Sequence, residues 1–204
     1  MNITDIIFEN KKVSEYIEQQ LHNNWSGTHF EDYPRLDPKQ KGVFGELYVE
    51  ALMRTLGRDV TPPTNPGHDR TIDGIKTEIK FSLAGSNRKK DGKLIDPDSF
   101  TFNHIAMEKD WEQFIFLGIN PPVDSTTTRS FDKDLWPIHR LYIMDKADFV
   151  AHMKSGSKIF KHQQGGNKSD NDDYCVFGRD SFYKLIGLPF VRELSLEVND
   201  AVAK

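Results

Sequence analysis

The stretch Gly67-His68-Asp69-Arg70-Thr71-Ile72-Asp73-Gly74-Ile75-Lys76-Thr77-Glu78-Ile79-Lys80 decides how this chain is read. At its centre, Asp73-Gly74 separates two strand-like runs, Asp69–Ile72 and Ile75–Leu83. An Asp-Gly pair in that setting predicts a two-residue type I′ turn, because both central residues must take positive φ. Ile72 then faces Ile75. The same register sets Asp69 opposite Glu78, with Cβ atoms about 4.5–5.5 Å apart on one face. Side chains alternate along a strand, so Glu78 and Lys80 share that face. Ile75, Thr77, Ile79 and Phe81 turn to the other as candidate core.

Two carboxylates that close repel one another unless a cation lies between them. Their hard oxygens suit Mg²⁺, with Mn²⁺ as a substitute. Such an ion polarises a phosphoryl oxygen, lowers the pKa of bound water and offsets leaving-group charge. Lys80 would touch the scissile phosphate or orient the attacking hydroxide. Asp69, Glu78 and Lys80 are therefore candidate catalytic residues for phosphodiester hydrolysis, with the two acids as metal ligands. A Glu-x-Lys pair alone is an ordinary pattern of a solvated sheet face; the facing Asp69 gives it weight.

Upstream, Asp37 is a good N-cap, Pro38 suits the first helical position and Gln40 completes a capping box. Gly57 closes the helix as the residue after its C-cap. Val43, Phe44, Leu47, Ala51 and Leu56 read as its buried face. A glycine inside a helix costs roughly 1 kcal/mol against alanine, so Gly42 and Gly45 point to close packing on that turn. A first helix is expected over 4–21, and a loop over 22–36.

Downstream, strands are expected at Phe100–Ala106, Gln113–Ile119, Arg140–Met144 and Tyr174–Phe177, with helices at Asp145–Met153 and Asp180–Ile186. A long helix, a hairpin, then mixed strands and helices give an α/β (α+β) class with a central mixed β-sheet flanked by helices. No linker divides the chain, so 1–204 reads as a single domain.

The hairpin resembles the core of the PD-(D/E)XK nuclease superfamily, which includes most type II restriction endonucleases. That pattern is an Asp near the start of one strand, then Asp/Glu-x-Lys in the next; Asp69, Glu78 and Lys80 match it. His68 stands where proline is usual. Glu46, on the preceding helix, matches an acid often present there, and by resemblance it completes or orients the metal site. The segments Phe100–Ile105 and Asp110–Leu117 are similar to strands that follow the hairpin in restriction-endonuclease-like proteins. The resemblance implies a restriction-endonuclease-like core at about 38–120, Mg²⁺ dependence and double-stranded DNA as substrate. It also implies a homodimer, since cutting both strands of a palindrome needs two sites related by a two-fold axis.

Phosphate contacts supply affinity and base edges supply specificity. Candidate DNA-recognition elements lie at about 85–98 and 154–190. Arg88, Lys89, Lys90 and Lys93 follow the catalytic strand, as a backbone grip or a solvated charge run. Gln163, Gln164, Asn167 and Lys168 lie in a polar, glycine-containing loop, where Gln and Asn suit adenine; such loops are also often merely polar. Asn103 and His104 lie on a strand near the site, His104 as a phosphate contact or a structural histidine.

The chain has 204 residues, with 27 Lys+Arg against 31 Asp+Glu, a formal charge of −4. That balance excludes a nonspecific basic coat for nucleic acid but not a specific enzyme with a locally basic site. Aromatics make up 11% of the chain, with 14 Phe, which excludes a disordered chain. No apolar run approaches the length of a membrane span. Asp5, Glu9 and Lys11 interrupt any secretory signal. A single cysteine, Cys175, makes no internal disulfide, and a cytoplasmic setting is the expectation.

The leading expectation is a sequence-specific restriction-type DNA endonuclease, with a cognate methyltransferase as a possible partner. The alternatives are a repair or recombination nuclease, a nicking subunit on the same core, a noncatalytic DNA-binding protein, or a plain interaction domain.

Overall fold

The computed structural model describes residues 25–85, 95–121, 137–156, 159–162 and 173–196. The helix expected over 4–21 lies outside these residues. So do Arg88, Lys89, Lys90, Lys93, Gln163, Gln164, Asn167 and Lys168. The chain divides into two compact units, Met1–Arg35 and Leu36–Lys204. In the first, Trp25 and Phe30 pack edge to face at 5.7 Å, and a 3₁₀ turn spans Tyr33–Arg35. The second is mixed α/β.

Its first helix, α1 (Pro38–Thr55), forms where its cap signals lie. The Asp37 side chain accepts the Gln40 amide at 2.9 Å, and the Gln40 side chain accepts the Asp37 amide at 3.0 Å. Gly57 closes the helix at φ +77. The buried face is a correction to the expectation: it is Gly45, Val49 and Met53, while Val43 is 48% and Leu47 54% exposed. The reason is a close approach. A Cβ on Gly45 would lie 2.4 Å from Phe81 Cβ. The glycine lets the helix axis sink onto the sheet there, and the stripe four and eight residues on follows it down. Nothing lies within 4 Å of a Cβ on Gly42.

Nine short strands follow among the described residues: β1 (Val60–Thr61), β2 (Arg70–Ile72), β3 (Ile75–Leu83), β4 (Thr101–Ala106), β5 (Gln113–Ile119), β6 (His139–Asp145), β7 (Lys161–His162), β8 (Asp173–Phe177) and β9 (Arg192–Glu193). Two further helices are α2 (Lys146–Lys154) and α3 (Arg179–Ile186). A six-stranded sheet runs β1-β2-β3-β5-β6-β9, and a three-stranded one runs β4-β8-β7. The first is mixed: β3 and β5 are parallel and its other pairs antiparallel. The two-residue strands β1, β7 and β9 carry no periodicity long enough to read from sequence.

The hairpin takes the expected turn. Ile72 pairs with Ile75 and Arg70 with Thr77, with Asp73 at φ +50 and Gly74 at φ +82. All seven residues of β5 are buried, as befits a central strand covered on both faces. On one face α1 packs through Phe44, Tyr48 and Gly45 against Phe81. The other face meets β4 and α3. Phe102 lies edge to face on Phe116 at 5.2 Å, Phe100 on Phe182 at 4.9 Å, and the Phe100 ring fills the space over Gly118. Asp98, at φ +61, anchors the entry to β4: its carboxylate accepts from Asn120 and Tyr183 and pairs with Arg140 at 3.2 Å. No helix among the described residues is long and apolar enough to cross a membrane.

Candidate active site

Strand β3 supplies the centre of the site. Glu78 and Lys80 point to the same side, as the period-two pattern requires, and Lys80 Nζ donates to Glu78 Oε1 at 2.6 Å. That side is not the solvated sheet face of the ordinary Glu-x-Lys pattern. The Glu78 side chain has 0% exposure and that of Lys80 17%. In register, Glu78 lies beside Phe114 and Lys80 beside Phe116. Thr77 and Ile79 on the opposite face are buried as expected, Phe81 is half-buried, and Ile75 is exposed at 41%.

The β2–β3 ladder stops at Arg70, one residue short of the expected Asp69–Glu78 pairing. The Asp69 amide donates to the Thr77 carbonyl at 3.0 Å, and the Ile79 amide donates to Asp69 Oδ2 at 2.7 Å. In a continued ladder that amide would meet a main-chain carbonyl of β2; the Asp69 carboxylate takes its place. Beyond Thr77 the edge of β3 is thus open to side chains, and there the two acids come together. Burial first, and then the Glu78 charge, raise the Asp69 carboxyl above its ordinary pKa. The Ile79 amide and the charges of Lys80 and Lys109 act the other way.

Glu46 reaches the same region from α1. Its carboxyl is also raised, by burial and by the charge of Asp69. Its Oε2 accepts from Arg70 Nη1 at 3.0 Å. Arg70 Nε donates to Glu50 Oε2 at 2.7 Å, and the Arg70 guanidinium also reaches the Asp69 carbonyl at 2.6 Å. Arg70 thereby ties α1 to the start of the hairpin. Sequence reasoning passed over it. A signal was present: Glu46 and Glu50 stand four apart on one helix face and call for a shared cation.

A second cation was also missed. Lys109, in the segment between β4 and β5, donates from Nζ to Glu78 Oε1 at 3.0 Å. Burial alone would lower its pKa, but Glu78, Asp69 and Asp173 raise it on balance, so it stays an ammonium. No spacing rule links it to Glu78. Glu78 Oε1 therefore takes two ammonium donors, while its other oxygen, Oε2, is buried with no hydrogen-bond partner. A buried carboxylate oxygen left unmatched is costly.

That orphaned oxygen, with the raised carboxyl of Asp69 close enough to feel the Glu78 charge, suits a hard divalent cation. Asp69 and Glu78 would hold it, with Glu46 near enough to feel the Asp69 charge. Among the described residues no group of three or more His, Cys, Asp or Glu side chains stands close enough to form a complete metal cage. Two carboxylates plus water and substrate oxygens are a usual set for Mg²⁺.

Asn103 and His104 lie on β4 and are exposed. The β4–β8 ladder shifts register between Phe102 and Ile105, and His104 takes φ +57 in that bulge. Its Nδ1 stands 3.3 Å from Asp173 Oδ2. Bulges are frequent beside functional sites, where they re-aim side chains. Cys175 is half-buried and its thiol is raised by burial.

No family model matches the chain, and no curated protein matches it.

Proposed function

We propose that this protein is a Mg²⁺-dependent DNA endonuclease with a restriction-endonuclease-like core, acting at Asp69, Glu78 and Lys80. The observation that carries the reading is the buried Glu78 carboxylate. One oxygen is held by Lys80, the other lacks a partner, and the Asp69 carboxylate, bonded to the next residue's amide at Ile79, is near enough to feel the Glu78 charge. When bound, the divalent ion supplies charge neutralisation at phosphorus and a more acidic water. Asp69 and Glu78 hold their charges at one point on the open edge of β3. Glu46, braced by Arg70, adds negative charge at the back of the site. Lys80, fixed two residues from Glu78, presents its ammonium to the phosphodiester. A water oxygen bonds to phosphorus and one P–O ester bond breaks. The leaving oxygen takes up a proton given by water, so a phosphate monoester and a free hydroxyl remain.

Sequence-specific cleavage of double-stranded DNA by a homodimer is the leading form of this reading, with a cognate methyltransferase protecting the host's own sites. A structure-specific repair nuclease or a nicking subunit would use the same chemistry on a different substrate. The test is incubation with long unmethylated phage or plasmid DNA in Mg²⁺ or in EDTA, read on a gel. Discrete fragments that require Mg²⁺ are expected. A Mg²⁺-dependent smear would remove sequence specificity and keep the chemistry. Intact DNA with both Mg²⁺ and Mn²⁺, across linear, nicked and branched substrates, would overturn the nuclease reading.

A further inference from the structure

We infer that Lys109 is a phosphate-binding ammonium stored on Glu78, released toward DNA once a divalent cation engages that carboxylate; this rests on the nuclease reading above. Lys80 and Lys109 share one oxygen of Glu78, at 2.6 and 3.0 Å, but they are held very differently. Lys80 is set by the strand and its side chain is 17% exposed. Lys109 arrives from a separate segment and its side chain is 38% exposed. It is the more exposed of the two, and so the easier for an incoming phosphate to reach.

The main chain around Lys109 is fixed. Its carbonyl accepts from the Lys146 ammonium and the Trp111 amide. Next to it, the Asp110 carboxylate takes Lys76 at 2.7 Å and Asn65 at 2.8 Å, and the Glu112 amide donates to the Lys76 carbonyl at 2.8 Å. Only the four-carbon side chain of Lys109 is left to move. The Lys80 and Lys109 ammoniums meet at Glu78, and both also act on the Asp69 carboxylate. A divalent ion at the unmatched Oε2 adds positive charge beside both lysines and weakens their hold on Glu78. The more exposed of them then leaves, and an arriving phosphate is its natural partner. Ion entry and phosphate binding are thereby coupled through Lys109.

The coupling predicts opposite effects from one substitution. Lys109→Met keeps the apolar stem and removes the charge. Without DNA, the intact protein should then bind Mn²⁺ more tightly, by roughly five- to a hundredfold, the usual range of site–site coupling. With Ca²⁺ present and the DNA checked as intact afterwards, its binding to a short duplex should lose about one unit of the log–log salt slope. In EDTA the slope should match wild type. Lys109→Arg should behave like wild type in both measurements.

Glu78→Gln, verified as folded by its melting curve, separates the failures. If Glu78→Gln loses Mn²⁺ and Lys109→Met binds it no better than wild type, the Lys109 inference falls and the nuclease reading stands. An equal loss of salt slope in EDTA would also overturn the inference, because Lys109 would then contact DNA without being released. If wild type binds no Mn²⁺ without DNA, the Lys109 inference falls, and the cleavage assay alone decides the nuclease reading.

Discussion

The side chain of Asp69 accepts the main-chain amide of Ile79 at 2.7 Å, one strand across, where the β2–β3 ladder has already ended. Asp69 thus does two things with one carboxylate. It satisfies the open edge of β3, and it sets a negative charge beside Glu78.

The two roles are separable. Asp69→Asn keeps an acceptor for Ile79 and removes the charge. Because burial and Glu78 disfavour the ionised form in the folded state, this variant should melt at or above the wild-type temperature near pH 7. It should lose cleavage. Asp69→Ala should lose cleavage too, and about 1–3 kcal/mol of stability through the unmatched amide. Denaturant melts of the pair check the assignment; equal destabilisation of both variants would refute it.

Glu78→Gln tests the centre of the site. The substitution keeps the shape and removes the charge that faces Lys80 and Lys109. An interaction of several kcal/mol at the transition state is at stake, so cleavage should fall by about a thousandfold or more. Single-turnover rates at saturating Mg²⁺ give the answer, and a variant that cuts at the wild-type rate would falsify the proposed chemistry.

Two glycines in one helical turn should respond with opposite signs. Gly42 faces open space, so Gly42→Ala should stabilise the protein by about 0.5–1 kcal/mol through helix propensity. At Gly45 the new Cβ would meet Phe81 Cβ at 2.4 Å. Gly45→Ala should cost about 1–3 kcal/mol despite the same propensity gain. It should also slow cleavage, because lifting α1 moves Glu46. Matching melts for the two variants would contradict the packing described.

His139 should make the fold sensitive to mild acid. Burial lowers its pKa, and its Nε2 lies 2.8 Å from the Tyr48 hydroxyl on α1. A base whose folded pKa is depressed binds more protons when unfolded. Its contribution is therefore complete above the unfolded value of about 6.5 and is lost as pH falls through the folded pKa. Melting temperature should drop on going from neutral to mildly acid pH, and His139→Gln should drop less. The measurement is the difference between the two curves, and parallel curves would remove His139 as the cause.

What could be read from the chain alone was local. The Asp73-Gly74 turn, the Ile72–Ile75 register, the shared face of Glu78 and Lys80, and the Asp37–Gln40 capping box each depend on residues a few positions apart. Turn dihedrals, strand alternation and helix-end hydrogen bonds are settled at that range, and the structure carries all four. The central mixed sheet followed from the order of those elements.

Tertiary packing decided the rest. Which stripe of α1 is buried depends on Gly45 meeting Phe81, not on where the larger apolar residues fall. The complete burial of Glu78 depends on β5 and on the segment that carries Lys109. Arg70 joins Glu46 and Glu50 across 24 and 20 residues, and Lys109 reaches Glu78 across 31. No periodicity links such positions, because their meeting is fixed by how sheets and helices pack. The sequence by itself determined a pair of acids and a lysine on one hairpin. Only the folded chain determined that a second lysine shares one oxygen of Glu78 and that the other oxygen is left without a partner.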